Sequence, residues 1–218
     1  DIIASAFKKY LEELAKAFFY DRYIASEPKD YFEIIYTNKG QSINASIDKE
    51  KLNQGTSVEN FIFNYLDYLL WQEYINHRNE YFTIEENIIS DNRIKDFEYS
   101  FRSTVEHYYP QNPIDTKLSI ALSEQERKEG KFDWLNHFGN LCLISTSKNS
   151  RLSNYMPTAK KDHYQNSPTL DSIKQRIMME YSDWDTLGDN NKNEIEEHGN
   201  KMIKLLIDNN ARNANNRV

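Results

Sequence analysis

Cysteine, proline and glycine are scarce in this chain of 218 residues, which contains one, five and six of them. The single cysteine, Cys142, excludes an internal disulfide and a structural zinc site made of several cysteines. A lone thiol fits a reducing compartment, so we expect a cytoplasmic protein. Few glycines and prolines, with abundant Asn, Lys, Glu and Tyr, favour helices joined by polar loops over a sandwich of short strands.

Long hydrophobic runs are also missing. No apolar stretch approaches the roughly 20 residues of a membrane-spanning helix, and we find no signal peptide, so we expect no membrane association. Hydrophobic residues still make up 39% of the chain, which is enough to bury a core. The chain begins at Asp1 and not at a methionine, and we therefore expect it to be a piece of a longer protein.

Helical periodicity dominates both ends of the sequence. Thr56 and Glu59 match a capping box, which predicts a helix opening there with an apolar stripe of Val58, Phe61, Ile62, Tyr65, Leu66, Leu69 and Leu70. Four further helices are predicted, over residues 2–23, 29–37, 169–181 and 191–209. The segment from Lys39 to Gly55 is predicted to be a loop, and the Asn-rich tail from Asn209 to be frayed.

The middle of the chain has a different pattern. Residues 103–109 are β-branched and aromatic and end before Pro110, which predicts a short strand. Residues 141–144 form a second short apolar run that also predicts a strand, and residues 146–154 favour a short helix capped by Ser145 or Thr146. Strand, long excursion, strand and short helix is the order of a ββα unit. The predicted fold class is therefore α+β and mostly helical, with a small ββα core.

The net charge of −7 argues at first against a nucleic-acid-binding protein. Its distribution is uneven, however. Residues 100–179 contain eleven lysines and arginines against eight acidic residues, so the rest of the chain carries −10. Residues 140–179 alone contain six basic and two acidic residues. The basic part of this acidic chain is the part that contains the predicted ββα unit.

Three segments in this region combine residue types that suit hydrolysis of a phosphodiester: 105–111, 138–141 and 147–154. Such hydrolysis needs a base for water, a cation to neutralise the phosphate, and a group that aims the base. A neutral imidazole, here His107, suits the first task near pH 7. Carboxylate and amide oxygens, here on Glu106 and Asn149, are hard ligands that suit Mg²⁺ or Mn²⁺.

The three segments together resemble the H-N-H signature of His-Me finger nucleases. Their residue pattern is similar to that of the C-terminal HNH nuclease domain of GmrSD-type, modification-dependent restriction endonucleases. The step of nine residues from Asn140 to Asn149 also resembles that in HNH domains of CRISPR effector nucleases. The similarity covers about residues 98–165. Weaker similarity is found at residues 64–70, at Trp184 and at residues 195–206. The similarity implies a ββα-metal core at 99–165 between an N-terminal helical part, 1–98, and C-terminal helices, 166–218, that pack on the core. We expect the three parts to form one compact domain.

The resemblance also implies roles for individual residues. His107 would be the general base, and Glu106 and Asn149 would hold one divalent metal, Mg²⁺ or Mn²⁺. Asn140 would brace the loop between the strands and orient the His107 ring. Contacts with DNA phosphates would come from a basic set beside the site: Lys148, Arg151, Lys160 and Lys161. The remaining histidines are interpreted as structural or exposed: His77, His137, His163 and His198.

We therefore expect a metal-dependent DNA endonuclease or nickase domain of a prokaryotic restriction or anti-phage defence protein. The resemblance implies DNA, including modified phage DNA, as the substrate, and an N-terminal, nucleotide-using sensor domain in the parent protein. The alternative is a catalytically degenerate HNH module that binds nucleic acid or a partner without cutting. The acidic remainder of the chain would suit such a binding surface.

Overall fold

A computed structural model describes residues 2–37, 47–100, 102–152, 154–182, 184 and 192–215. The protein is mostly helical and has two small antiparallel sheets of two strands each, which confirms the predicted α+β class. The chain forms two compact units, residues 1–53 and 54–218. Residues 54–98, which the sequence assigned to an N-terminal part, thus pack in the same unit as residues 99–165. No helix in the described ranges is long and apolar enough to cross a membrane.

In its described residues the first unit has two α-helices, α1 (Ile2–Phe18) and α2 (Tyr31–Thr37). A π-helical turn, Phe19–Tyr23, continues α1, so the predicted helix over 2–23 is confirmed with a change of pitch near its end. Phe19 and Tyr20 of this turn are buried, as are Ile24 and Ala25 after it. By contrast, α1 has an apolar stripe at helical spacing that is more than two-fifths exposed at four residues: Ile3, Phe7, Tyr10 and Leu11. Part of the loop predicted at 39–55, residues 39–46, lies outside the described residues.

The main helix of the second unit is α3 (Asn60–Ile75). Its buried face includes five members of the predicted stripe: Ile62, Tyr65, Leu66, Leu69 and Leu70. The predicted start is wrong, because Thr56 belongs to a separate 3₁₀ turn, Gly55–Ser57, and α3 begins four residues later. Glu59 stands at the N-cap but its side chain makes no capping hydrogen bond. After α3 come a short hairpin, β1 (Thr83–Ile84) and β2 (Asn87–Ile88), and a single turn, α4 (Asn92–Lys95).

The second sheet holds the strands predicted from the middle of the chain. Strand β3 (Thr104–His107) pairs antiparallel with β4 (Leu141–Ile144), and His107 lies opposite Leu141. The excursion between them contains one helix, α5 (Glu124–Lys128). Helix α6 (Thr146–Leu152) follows β4 directly and contacts β3. The predicted order of strand, excursion, strand and short helix is therefore present.

A buried ion pair connects α3 to the start of β3. Arg102 donates to Asp67 at 3.1 Å and to Asn64 at 2.8 Å, and it is 4% exposed. The other Asp67 oxygen accepts from the hydroxyl of Ser172 and the amide of Lys174, at the start of α8 (Ile173–Met178). Burial raises the pKa of Asp67, and Arg102 opposes that rise. These contacts fix the strand against the helical layer.

Two more helices complete the unit, α7 (Pro157–Tyr164) and α9 (Lys192–Asn215). Helix α9 extends beyond residue 209, where the sequence had predicted fraying, and it packs on a 3₁₀ turn, Phe138–Asn140. The approach is close at Gly139, where a Cβ atom would lie 1.8 Å from the carbonyl oxygen of Ile195. A side chain at this position is sterically excluded, which gives the glycine before Asn140 a packing role.

Candidate active site

Glu106 and His107 are the last two residues of β3, and each is 7% exposed. Successive side chains of a strand point to opposite faces, so the two groups have different neighbours. Glu106 contacts Lys160 of α7, whereas His107 contacts Asn136 of the excursion. The strand end is thus held from two sides.

The carboxylate of Glu106 is paired with a buried lysine. The Lys160 ammonium lies 2.6 Å from the Glu106 Oε1 atom and also donates to the carbonyl oxygens of His107, at 2.7 Å, and Tyr108, at 3.0 Å. Burial raises the pKa of Glu106, and the positive charge of Lys160 opposes that rise. Lys160 is only 1% exposed, so its ammonium serves the interior of the site and is not presented to a DNA phosphate at the surface.

The imidazole of His107 is positioned by a hydrogen bond at one of its two nitrogens. Its Nε2 atom lies 3.1 Å from the side-chain oxygen of Asn136. Within the described ranges the Nδ1 atom has no hydrogen-bond partner. Burial lowers the pKa of His107; the hydrogen bond with Asn136 and the charge of Asp133 oppose this, while the charge of Lys160 adds to it. The result favours a neutral ring.

Asn140 is fully buried and ties the two ends of the excursion together. Its side-chain oxygen accepts from the Tyr109 amide at 2.7 Å, and its Nδ2 atom donates to the carbonyl oxygens of Tyr109 and Leu135 at 3.1 and 3.0 Å. This geometry suits the bracing role expected from the resemblance. Its hydrogen bonds within the described part of the chain do not include the His107 ring, whose hydrogen-bond partner there is Asn136.

Asn149 lies on α6 and has an unusual side-chain oxygen. The Oδ1 atom is buried and accepts no hydrogen bond from any described residue. Such an atom lacks compensation for its lost hydration, which a cation would provide. No group of three or more His, Cys, Asp or Glu side chains in the described ranges is arranged to hold a metal. The oxygens of the Asn149 amide and the Glu106 carboxylate are of the hard type that suits Mg²⁺, which binds through few protein oxygens and completes its shell with water and phosphate.

The other predicted phosphate contacts have different surroundings. Lys148 lies 2.9 Å from Asp171, which also accepts from the amide and hydroxyl of Ser145. Arg151 is exposed and Lys161 is half-buried. Lys148 and Arg151 line a cavity of about 220 Å³ with five other residues: Leu152, His163, Tyr164, Asn166 and Ser167.

His137, predicted to be structural, is buried and caps the turn before β4. Its Nδ1 atom accepts from the Gly139 amide at 3.2 Å. Burial, reinforced by the charge of Lys174, lowers the pKa of His137 to about 4, so the ring stays neutral and accepts this bond. His198 is buried as well, and burial also lowers its pKa.

Three residues of the site escaped the sequence interpretation: Asp133, Asn136 and Gly55. The Asn136 Nδ2 atom donates to Asp133 at 2.7 Å, and the Gly55 amide donates to the Asn136 carbonyl oxygen at 3.3 Å. The spacing from Asp133 to Asn136 was the available signal, because an aspartate three residues before an amide is typical of a side-chain-capped turn. Nothing in the sequence connects either residue to His107.

Comparison with known proteins gives a family. A family model described as the C-terminal domain of GmrSD restriction endonucleases matches residues 42–205. Searches of curated proteins and of solved structures returned no match. The matched residues include both strands of the second sheet, the excursion between them and helices α6 to α8. The match covers well over half of the chain, and the protein therefore belongs to the family of GmrSD C-terminal domains, which are restriction endonuclease domains acting on DNA.

Proposed function

We propose that this chain is a metal-dependent DNA endonuclease domain of the HNH, or His-Me finger, type, with His107 as its general base. The observation that carries the proposal is the His107 ring, which is hydrogen-bonded at Nε2 and has no partner at Nδ1 among the described residues. The order of β3, excursion, β4 and α6 supports the same assignment. A cytoplasmic defence protein that restricts phage DNA is the setting in which such a domain would act.

The chemistry follows from the ring. The side-chain oxygen of Asn136 only accepts, so Nε2 carries the proton and Nδ1 carries a lone pair. Nδ1 would take a proton from water while the water oxygen bonds to phosphorus. The bond from phosphorus to the 3′ oxygen then breaks, and the leaving oxygen takes up a proton. The products are a 5′-phosphate and a 3′-hydroxyl.

Glu106 and Asn149 would hold the divalent cation, Mg²⁺ or Mn²⁺. When bound, the cation neutralises charge on the scissile phosphate and on the leaving oxygen. Lys160 keeps one Glu106 oxygen in place and leaves the other for this purpose. Asn140 would keep the strand end and the excursion in register. Arg151 and Lys161, which are at least partly accessible, are the better placed of the predicted phosphate contacts, and Lys148 would join them if it left Asp171.

The degenerate-module alternative has one observation in its favour. The ion pair between Lys160 and Glu106 neutralises the carboxylate that a cation would use. A site closed in this way would bind DNA or a partner and would not cut. The two functions differ in one measurable property, which is strand cleavage that depends on both His107 and a metal.

The test is the conversion of supercoiled plasmid to nicked or linear DNA with Mg²⁺ or Mn²⁺. The full-length parent protein is used with its nucleotide, on unmodified and phage-modified DNA, because control by an N-terminal sensor domain is part of the proposal. His107→Ala is expected to abolish cleavage, whereas His163→Ala, on the exposed side of α7, leaves it unchanged. Metal-independent cleavage, or cleavage that survives His107→Ala, would disprove the proposed mechanism. DNA binding without cleavage would support the alternative.

A further inference from the structure

The His107 ring contacts the side chain of Asn136, which can offer it either a hydrogen-bond acceptor or a donor. Asn136 has a carbonyl oxygen, which accepts, and an amino group, which donates. If the oxygen faces His107, Nε2 is protonated and Nδ1 is free. If the amino group faces His107, Nε2 becomes the acceptor and Nδ1 carries the proton. The tautomer of His107 therefore depends on the orientation of the Asn136 side chain.

Asp133 decides that orientation. Its Oδ2 atom accepts from the Asn136 amino group at 2.7 Å, and its Oδ1 atom accepts from the Asn136 backbone amide at 3.3 Å. A carboxylate only accepts hydrogen bonds, so it binds the amino group and leaves the oxygen for His107. The rotated orientation would place the oxygen of Asn136 against the carboxylate, where two acceptors repel.

The backbone around Asn136 reinforces this arrangement. The Gly55 backbone amide donates to the backbone carbonyl oxygen of Asn136, and Gly55 adopts φ +57. A Cβ atom on Gly55 would lie 2.2 Å from the Asn136 side-chain oxygen. The 3₁₀ turn at residue 55 therefore leaves just the space that the carboxamide occupies.

We propose that Asp133 and Asn136 are positioning residues that set the tautomer of His107, with Asp133 acting through Asn136. This inference rests on the proposed function for its catalytic meaning, since it presents Nδ1 as the atom that takes the proton from water. The last residue of β3 thus supplies the base, and a turn 26 to 29 residues further along supplies its orientation.

Long-range ¹H–¹⁵N correlation spectra of the imidazole rings test the inference without requiring cleavage. They are recorded at about pH 8, where an imidazole is neutral, and the His107 signals are identified by their absence in His107→Ala. The native protein is expected to show His107 protonated at Nε2. Asp133→Ala is expected to shift His107 towards a mixture of the two tautomers. Asp162→Ala, which removes an exposed acid from α7, is the matched control and leaves the native spectrum.

Kinetics give a second readout. Asn136→Leu is expected to lower kcat roughly tenfold or more with KM unchanged, because the base is misaligned and DNA contacts remain. Asp133→Ala is expected to lower kcat less, because a fraction of the rings keeps the active tautomer. Should His107 be protonated at Nδ1 in the native protein, or should Asp133→Ala leave its spectrum unchanged, the inference is wrong. A native spectrum with the expected tautomer supports it even if the protein fails to cut DNA, an outcome that would overturn only the proposed function.

Discussion

Lys160 and Glu106 form an ion pair that is closed off from solvent, with side chains 1% and 9% exposed and 2.6 Å between the charged atoms. The same ammonium donates to the carbonyl oxygens of His107 and Tyr108, which follow Glu106 in the chain. One side chain of α7 therefore neutralises the carboxylate and also fixes the backbone that carries the imidazole. Removing one member of such a pair leaves an uncompensated charge in the interior.

Lys160→Met is expected to destabilise the protein by about 3–5 kcal/mol, because the Glu106 carboxylate and two carbonyl oxygens lose their buried partner. Lys161→Met, one position along the same helix, is the control and should change the free energy of unfolding by about 0.5 kcal/mol or less. Urea denaturation measures both. Adding Glu106→Gln to Lys160→Met should recover part of the loss, and a double variant that is less stable than Lys160→Met alone would contradict the assignment.

Replacing Asn149 is expected to move stability and activity in opposite directions. Its buried oxygen has no partner among the described residues, and such an atom costs about 1–3 kcal/mol. Asn149→Ala should therefore leave the metal-free protein as stable as the native one or more stable, while the Mg²⁺ concentration needed for cleavage rises at least about tenfold. Thermal unfolding in a chelator and a Mg²⁺ titration of nicking measure the two effects. A large loss of stability without metal would show that Asn149 is structural.

Cleavage is expected to fall on the acid side of its pH profile as His107 becomes protonated. The midpoint of this acid limb should lie below the ordinary histidine pKa of 6.5. Burial lowers the pKa of His107, so the neutral base persists to lower pH than an exposed imidazole. Asn136→Asp places a carboxylate beside Nε2, which favours the imidazolium form and should move the limb to higher pH. The measurement is kcat/KM against pH at saturating Mn²⁺, with His163→Gln as the control. A limb above 6.5 in the native enzyme, or one unmoved by Asn136→Asp, would argue against His107 as the base.

Two glycines with positive φ offer a matched pair of substitutions. Gly55→Ala and Gly130→Ala both introduce a side chain at positive φ, +57 and +73, and each should cost about 1 kcal/mol of stability or more. A Cβ atom at Gly130 meets nothing within 4 Å, whereas one at Gly55 meets the Asn136 side-chain oxygen. Only Gly55→Ala should therefore lower kcat. Equal kcat values for the two variants would show that the Asn136 contact does not matter for cleavage.

The sequence predicted those helices and strands whose formation depends on residues close together in the chain. Residues 141–144 were predicted as a strand from a short apolar run between Gly139-Asn140 and Ser145, and the strand has those bounds. The order of elements around Glu106 and His107 followed from two short runs of strand-forming residues and a capped polar segment. The family followed from the resemblance of three segments to the H-N-H signature. The capping box at Thr56 failed because the adjacent Gly55 opens a separate turn, and a pattern of four residues does not distinguish the two.

Contacts made over long sequence distances were beyond such patterns. Lys160 was predicted to contact DNA phosphates, and only the packing of α7 shows that it is buried against Glu106, 54 residues earlier. The same limit applies to Asn136, which reaches His107 across 29 residues. The apolar stripe of α1 is a third case, since periodicity indicates a helix face but does not say whether anything covers it.

The hydrogen bonds made by the Asn140 side chain have a practical consequence for engineering this domain. By tying Tyr109 to Leu135, they close the excursion at its base, so the roughly 25 residues between Tyr109 and Leu135 can change without disturbing β3 and β4. Lengthening a loop whose ends are already joined costs little, about 0.6 kcal/mol for each doubling. The stretch from Ser119 to Ser123, where exposed and half-buried residues alternate, is therefore a suitable place to graft a segment with its own preference for DNA. Such a graft would make this domain a carrier for engineered specificity.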